Sequence, residues 1–576
     1  MNKKEVAGIL EEIGILLELK GENPFKARAY FNAARVIETL DRDLSQIVES
    51  GQLSAMKGIG GALAEKISML VNQGSLPYYD DLKASIPEGL LDLLSIPGLG
   101  AKKVKKIYEE LQVTSLGELE YACRENRLRD LTGFGQKSQD SILKNIELYK
   151  KNSERYLYPL AEDAARQLIT YLAKNSDLQK VEVAGSLRRR AETVKDIDII
   201  GACKEEKRSS VMAHFLAYHE NMTTISQGTT KSAMTLATGI TAELRLVEYG
   251  QFPFLLQYNT GSKEHNTHLR RLAKGKNLKL NEYGLFRGDE SIACGGEEDI
   301  YRHLDLAYIP PEWREDLGEI EQAARGRLPD LYTGKPFYGL FHVHTTYSDG
   351  GNTLPEIVTA CKQMGLTYVG ITDHSKSAFY ANGLSEERIK KQWEEIDQLN
   401  EKEKDFRIFK GIESDILRDG SLDYTDDILE LFDFVIASVH SQFRLTEQEM
   451  TDRICRALKN PFLTMLGHPT GRLLLAREAY ALNMEKVLET AAEESKIIEI
   501  NASPYRLDLS WKWGKRATEL GLKTSINPDA HSVEGLQDYR YGIGICGKAG
   551  FQKQDILNTF TGAEVIAFLE SNKSSA

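Results

Sequence analysis

At 576 residues the chain exceeds what one apolar core organises, so several domains are expected. With 27% charged residues, no low-complexity tract and no apolar run near the ~20 residues that span a bilayer, its composition excludes a disordered or membrane-spanning protein. The net charge of −12 disfavours a polyanion partner only on average, because bases concentrate in Lys102-Lys103-Val104-Lys105-Lys106 and Leu187-Arg188-Arg189-Arg190.

The chain opens on Met1-Asn2-Lys3-Lys4-Glu5 and an acid-containing amphipathic stretch rather than a signal sequence, which predicts a cytoplasmic protein. One element then recurs: Lys57-Gly58-Ile59-Gly60, Pro97-Gly98-Leu99-Gly100 and Thr132-Gly133-Phe134-Gly135. Each is expected to open an amphipathic helix, over residues 61–70, 101–111 and 136–149. A Gly-apolar-Gly turn at a helix N-terminus offers outward backbone amides to one phosphate without reading base sequence. Gly58, Gly60, Gly98, Gly100, Gly133 and Gly135, with Lys102 and Lys103 after the second turn, are therefore candidate DNA contacts. These segments resemble the helix-hairpin-helix motif of DNA-repair proteins. Lys66 follows the first turn, where it reads equally as a solvated helix lysine or as an amine placed for Schiff-base chemistry. Residues 23–70 resemble the lyase domain of polymerase beta, in which a lysine at this place attacks a sugar aldehyde. Lys26 and Tyr30 match that pocket, whereas Phe25 and Ala62 depart from it.

Further on, a strand ending in Gly185-Ser186 precedes Asp196-Ile197-Asp198-Ile199-Ile200, and alternation places both aspartates on one strand face. A third strand, residues 241–247, projects Glu243 and Arg245 from one face and Ala242, Leu244 and Leu246 from the other. Asp196, Asp198 and Glu243 on neighbouring strands can hold two Mg²⁺ or Mn²⁺ ions for nucleotidyl transfer. Together with Gln257-Tyr258-Asn259-Thr260-Gly261-Ser262-Lys263-Glu264-His265-Asn266 and Leu280-Asn281-Glu282-Tyr283-Gly284-Leu285, residues 23–310 resemble the family X DNA polymerases. That resemblance implies that Gly185, Ser186 and Arg189 meet the incoming triphosphate, Tyr258 and Gly261 the sugar, Asn266 the base and Arg270 the template strand. Glu243 stands where that family has aspartate, Asn259 replaces an aromatic residue and Thr241 an arginine. These departures predict a present but weakened polymerase site.

Residues 311–335 read as a linker with a charged helix over 313–327. Beyond it, apolar strands at 368–372, 407–412, 434–438, 463–466, 497–500 and 524–526 alternate with amphipathic helices, the pattern of an α/β barrel. Strand ends, where barrels place their chemistry, carry His342, His344, Asp349, His374, Glu413, His440, His468, Asp529 and His531. Six of the 11 histidines in the chain fall in this set, and mixed imidazole and carboxylate ligands suit Mn²⁺, Zn²⁺ or Fe²⁺. Residues 336–576 resemble the polymerase and histidinol phosphatase (PHP) domain at all nine positions. The resemblance implies one metal on His342, His344, Glu413 and Asp529, a second on Glu413, His440 and His468, and a third on Asp349, His374 and His531. The cysteines, Cys123, Cys203, Cys294, Cys361, Cys455 and Cys546, lie apart in sequence and read as buried thiols.

The expected fold is multidomain α/β. It comprises a helical lyase-like domain (1–75), a helix-hairpin-helix domain (76–150), an α+β nucleotidyltransferase palm (151–250), a small thumb (251–310), the linker, and a C-terminal (β/α) barrel of the PHP type (336–576). The expected function is DNA repair by a monomer that fills gapped or nicked DNA from deoxynucleoside triphosphates and hydrolyses 3′ ends. Two alternatives remain: a DNA-end-processing nuclease or DNA-binding scaffold with a weakened or silent polymerase site, and a small-molecule phosphatase of the histidinol-phosphate type.

Overall fold

The computed structural model describes residues 1–38, 40, 44–56, 58–87, 89–94, 96–129, 131–150 and 155–574. Lys57 of the first Gly-apolar-Gly segment and residues 151–154, at the expected start of the palm, lie outside them. The chain divides into two compact units, Met1–Tyr149 and Lys150–Ala576. No helix among the described residues is long and apolar enough to cross a membrane.

The first unit is helical. Helix Lys3–Lys20 starts at Asn2, whose side chain accepts from the amides of Lys4 and Glu5, and stops at Gly21 in the left-handed conformation. Its buried stripe of Val6, Leu10, Ile13 and Leu17 shares a core with Ala27, Tyr30 and Ala34 of helix Pro24–Glu38. A second core gathers Leu90, Leu99, Val104, Ile107, Leu119 and Ile146, and Leu19 of the first helix reaches into it. The boundary expected at residue 75 therefore falls inside one compact unit with two cores.

The second unit holds three sheets that bear on function. Strands β1 (Lys180–Val183), β2 (Asp196–Ala202), β3 (Asn221–Ser226), β4 (Lys231–Leu236) and β5 (Thr241–Val247) form one of them in the order β1-β2-β5-β4-β3. Strand β2 runs parallel to β5, whereas the other neighbours are antiparallel. Strands β6 (Lys279–Asn281), β7 (Gly284–Arg287) and β8 (Glu290–Ile292) make a small antiparallel meander. Strands β9 (Gly339–Val343), β10 (Tyr368–Ile371), β11 (Arg407–Asp415), β12 (Phe434–Ser438), β13 (Met465–Leu466), β14 (Ile497–Asn501) and β15 (Thr524–Asn527) are parallel and adjacent in chain order. The edges β9 and β15 approach through a bridge between Val343 and Ala530, so the seven-stranded sheet is a nearly closed barrel.

The expected linker is not one. In place of a long charged helix the chain makes a 3₁₀ turn, Pro311–Trp313, and a short helix, Glu319–Ala324. Left-handed backbone at Asp316 and Gly318 ends any continuous helix between them. Trp313, Ile320 and Ala323 lie in the apolar core behind β6–β8, and fully buried Arg314 bonds Glu297 at 2.5 Å. The acidic run Glu297-Glu298-Asp299 thus supplies a buried clamp rather than only a solvated charge cluster. Behind the clamp, the five-stranded sheet and the barrel share one core, with Tyr158 meeting Tyr541 edge to face at 6.2 Å.

Candidate active sites

In the five-stranded sheet the parallel register pairs Asp198 with Glu243 and Asp196 with Thr241, which brings the three candidate carboxylates to one end of β2 and β5. Burial, then the neighbouring Asp196 and Glu243, pushes the Asp198 carboxyl up to about 6. Gly185 closes on this group: a Cβ there would lie 2.2 Å from Asp198 Oδ2, so only glycine, at φ 62°, lets the loop pass. Glu243 is already engaged. Its carboxylate accepts from Arg245 Nε at 2.7 Å and pairs with Lys231 Nζ at 2.7 Å. Burial pushes its pKa up, but the two cations outweigh that and hold it below the usual carboxylate value.

Next to the triad, Arg189 donates to the Thr260 carbonyl at 2.5 Å, beside Gly261. Asn266 donates to the Tyr258 carbonyl at 2.7 Å and accepts from Gln257 at 2.8 Å, and Arg270 donates to the Asn266 carbonyl at 3.3 Å. Tyr258, Asn266 and Arg270 are therefore joined by hydrogen bonds, Arg189 is tied through Thr260 to the chain beside Gly261, and Ser186 sits on the turn Gly185–Arg188. Sequence reasoning missed the residues behind it. Arg188 forks onto Glu297 at 2.6 and 3.0 Å, and Glu315 pairs with both Arg189, at 3.3 Å, and Lys548 of helix Tyr539–Ala549 in the barrel. Trp313 Nε1 donates to the Gly547 carbonyl at 2.6 Å in the same seam.

At the C-terminal ends of the barrel strands, the nine expected ligand residues are all buried or nearly so and converge. Glu413 is the hub: Oε1 lies 3.2 Å from His342 Nε2, 3.3 Å from His440 Nε2 and 3.0 Å from His468 Nε2, and Oε2 lies 2.9 Å from His374 Nδ1. Asp529 Oδ1 is 3.3 Å from both His342 Nε2 and His344 Nε2. Asp349 lies 3.4 Å from His531 Nε2 and 3.5 Å from His374 Nε2. Their donor atoms fall into overlapping groups compact enough for an ion, with His344 joining Asp349, His374 and His531, and His374 joining Glu413 and His440. His342, His468 and Asp529 adopt left-handed backbone, and β9 shifts register before Val343. The two imidazoles of His-x-His thus meet at 5.3 Å through a bulged strand rather than plain alternation.

Burial and neighbouring imidazoles push His344 down to about 3, while burial and then Arg506 push His468 down to about 4. Both are therefore neutral near pH 7. Asp349, Glu413 and Asp529 stay ionised, held well below the carboxylate range by surrounding histidines against the effect of burial. Both ring nitrogens of His344 and of His374, with His342 Nε2, His468 Nδ1 and Glu413 Oε2, are buried without a hydrogen bond. An orphaned donor set of this kind fits divalent cations.

Family comparisons match the described architecture. Residues 1–76 match a helix-hairpin-helix domain, 90–147 a SAM-like helix-hairpin-helix tandem, 255–315 the DNA polymerase beta thumb and 341–503 the PHP domain. The protein named DNA polymerase/3′-5′ exonuclease PolX of Bacillus subtilis (strain 168) is 38% identical over 99% of this chain and 100% of its own length. The chain belongs to the family X DNA polymerases with a PHP domain. Proteins named probable phosphatase are also similar: one from Thermoanaerobacter sp. (strain X514) is 30% identical over 40% of this chain and 94% of its own length. Another, from Caldicellulosiruptor saccharolyticus, is 33% identical over 33% of this chain and 78% of its own length.

In this family X polymerase the supports of the PHP cluster also escaped sequence reasoning. Glu499 accepts from His342 Nδ1 at 2.6 Å and from the His468 amide at 2.6 Å, and Asp415 holds His440 Nδ1 at 2.6 Å. Their signal was available: Glu499 and Asn501 interrupt an otherwise apolar strand, and Asp415 repeats two residues after Glu413. Arg506, also buried, brings its Nε to 3.5 Å from Asp529 Oδ2.

In the first unit the three Gly-apolar-Gly turns share one geometry. Gly58, Gly98 and Gly133 have φ of 99°, 93° and 91°, and the following amides of Ile59, Leu99 and Phe134 each bond three residues back. Gly60, Gly100 and Gly135 accept the first helical amides of Gly61–Gln73, Ala101–Leu111 and Gln136–Lys150. Lys103 bonds the Gly98 carbonyl at 3.1 Å, and Lys102 is exposed. Lys66 donates to Tyr30 Oη at 2.5 Å and stands 3.6 Å from the centre of the Tyr78 ring. Burial, then Lys26, lowers its pKa.

Proposed function

We propose that the chain is a DNA-repair enzyme that fills short gaps at the five-stranded sheet and hydrolyses DNA 3′ ends at the PHP cluster. One observation carries this reading: a single compact unit presents a strand-end carboxylate triad beside Arg189 and the hydrogen-bonded Tyr258–Asn266 pair, and a buried cluster of nine ligand-type residues. Asp196, Asp198 and Glu243 would hold Mg²⁺ or Mn²⁺, and the nine PHP residues up to three ions of Mn²⁺, Zn²⁺ or Fe²⁺. Ions bound there supply positive charge that activates water and offsets the charge of a phosphate. The protein's own groups do the rest. Arg189 and the Gly185-Ser186 turn bind the triphosphate, Tyr258 and Gly261 flank the sugar, Asn266 meets the base and Arg270 the template. Glu499 and Asp415 orient His342 and His440, and Arg506 adds charge on the phosphate side. The three turns, with Lys102 and Lys103, grip the backbone of gapped or nicked duplex. We assign domain limits as expected, save that the thumb extends into residues 311–324. The enzyme acts in the cytoplasm as a single chain.

Lys66, with its lowered pKa beside Tyr30 and Tyr78, suits Schiff-base attack on a 5′ sugar aldehyde. Glu243, occupied by Lys231 and Arg245, favours the alternative of a weak polymerase site. A gapped duplex with a labelled primer, incubated with Mn²⁺ or Mg²⁺ with and without deoxynucleotides, tests both catalytic halves. Extension with nucleotides and shortening without them are expected. Shortening alone would leave a nuclease with a silent polymerase site, and neither would return the chain to the phosphatase reading. A borohydride-trapped adduct to 5′-deoxyribose-phosphate DNA that disappears in Lys66→Ala tests the lyase.

A further inference from the structure

Between His374 and Leu384 the chain loops out beside the PHP cluster. The loop is firmly based. The Leu384 amide donates to the His374 carbonyl at 2.8 Å, and the Gly383 amide to the Ala378 carbonyl at 3.1 Å. Ser377 Oγ donates to Asp415 Oδ2 at 2.8 Å, and Asp415 is the residue that holds His440. Gly383 packs so closely on the Ser375 carbonyl that a Cβ there would overlap it. Ala378 and Ala381 are fully buried, yet Phe379 between them is 88% exposed, more than any other large apolar side chain exposed among the described residues. A ring held in water by an anchored loop is not a frayed end. Its neighbour Tyr380 marks the position, with its ring 6.2 Å from that of His374 and 6.5 Å from that of His440.

We propose that Phe379 is a stacking platform for the terminal base of a DNA 3′ strand entering the PHP site. The proposal rests on the exonuclease reading above and adds a binding subsite to it. The chemistry favours a nucleobase. The adjoining cluster takes the phosphate, a base lies one nucleotide's reach away from its own phosphate, and an exposed aromatic face accepts any of the four bases without hydrogen-bond readout.

The test compares two single-stranded oligonucleotides, one ending in a normal nucleotide and one in an abasic residue, with wild-type protein, Phe379→Ala and Phe379→Tyr in Mn²⁺. Release of the terminal residue gives kcat and KM for each. The wild type is expected to prefer the normal end on the order of tenfold, through KM. Phe379→Ala should lose that preference by weakening on the normal end alone, and Phe379→Tyr should keep it. Equal slowing of Phe379→Ala on both ends, or retained discrimination, would overturn the proposal, as would a wild type indifferent to the base. A wild type that degrades neither oligonucleotide would instead sink the exonuclease reading itself. Thermal melting and bound metal, measured on each variant, distinguish loss of the subsite from loss of fold.

Discussion

The two catalytic regions of the Lys150–Ala576 unit prepare their carboxylates in opposite ways. In the PHP cluster every carboxylate faces imidazoles, and a further layer of Glu499 and Asp415 fixes those imidazoles from behind, so the ligand atoms already converge. In the five-stranded sheet Glu243 is bound by two of the protein's own cations, and Asp198 is pushed up to about 6 by burial and its acidic neighbours. One site is preorganised for ions; the other must exchange partners before it can hold them. The difference teaches that ligand identity and ligand availability are separate properties.

The contrast breaks most visibly at the hub. Glu413→Gln is expected to lower 3′-end hydrolysis by more than about 100-fold, beyond the loss usual for an outer partner of a metal ligand, while primer extension on a gapped duplex persists. Parallel loss of both activities would mean that the sites are not independent. The next effect concerns the seam that shapes the polymerase side. Glu297→Gln breaks a buried pairing with Arg314 and Arg188 and should cost about 3 kcal/mol of stability, read by denaturant titration. Arg314 and then Arg188 outweigh burial and hold the Glu297 pKa below its ordinary value. Its stabilisation is therefore complete above the unfolded value of about 4.3 and is lost as pH falls through the lower folded one. The stability of the variant should consequently vary less with pH across that acidic window. The smallest effect sharpens the comparison. Lys231→Met frees one oxygen of Glu243 from a half-exposed ion pair worth at most about 1 kcal/mol, so the metal concentration supporting half-maximal extension should fall by no more than about fivefold. A rise would show that Lys231 serves the reaction rather than competing for Glu243.

What the sequence made legible follows from how each feature is encoded. Strand Thr241–Val247 was readable to the residue because one face is buried and alternation holds from Thr241 to Leu246. The PHP residues were readable because they recur at strand ends. Residues 313–327 were misread as a helix within a linker: charge spacing suggested helix, but Arg314 is drawn into the core by Glu297, a partner 17 residues away. Glu499 was overlooked although its charge in a buried apolar strand was visible, whereas Arg506 lies outside any strand or helix and its value lies only in what it touches. The occupation of Glu243 by Lys231 depends on the pairing of two antiparallel strands, β4 and β5, and local composition does not specify that register.

The seam joining Trp313 to Gly547 and Lys548 to Glu315 makes the sheet and barrel a fixed jig. On the proposed reading, the span between building and trimming is a length set by packing rather than by a hinge. A 3′ end that changes station must therefore be peeled back across that span or released and caught again. The choice between adding and removing a nucleotide becomes a race between extension and fraying at the primer terminus, run across a constant span from sheet to barrel.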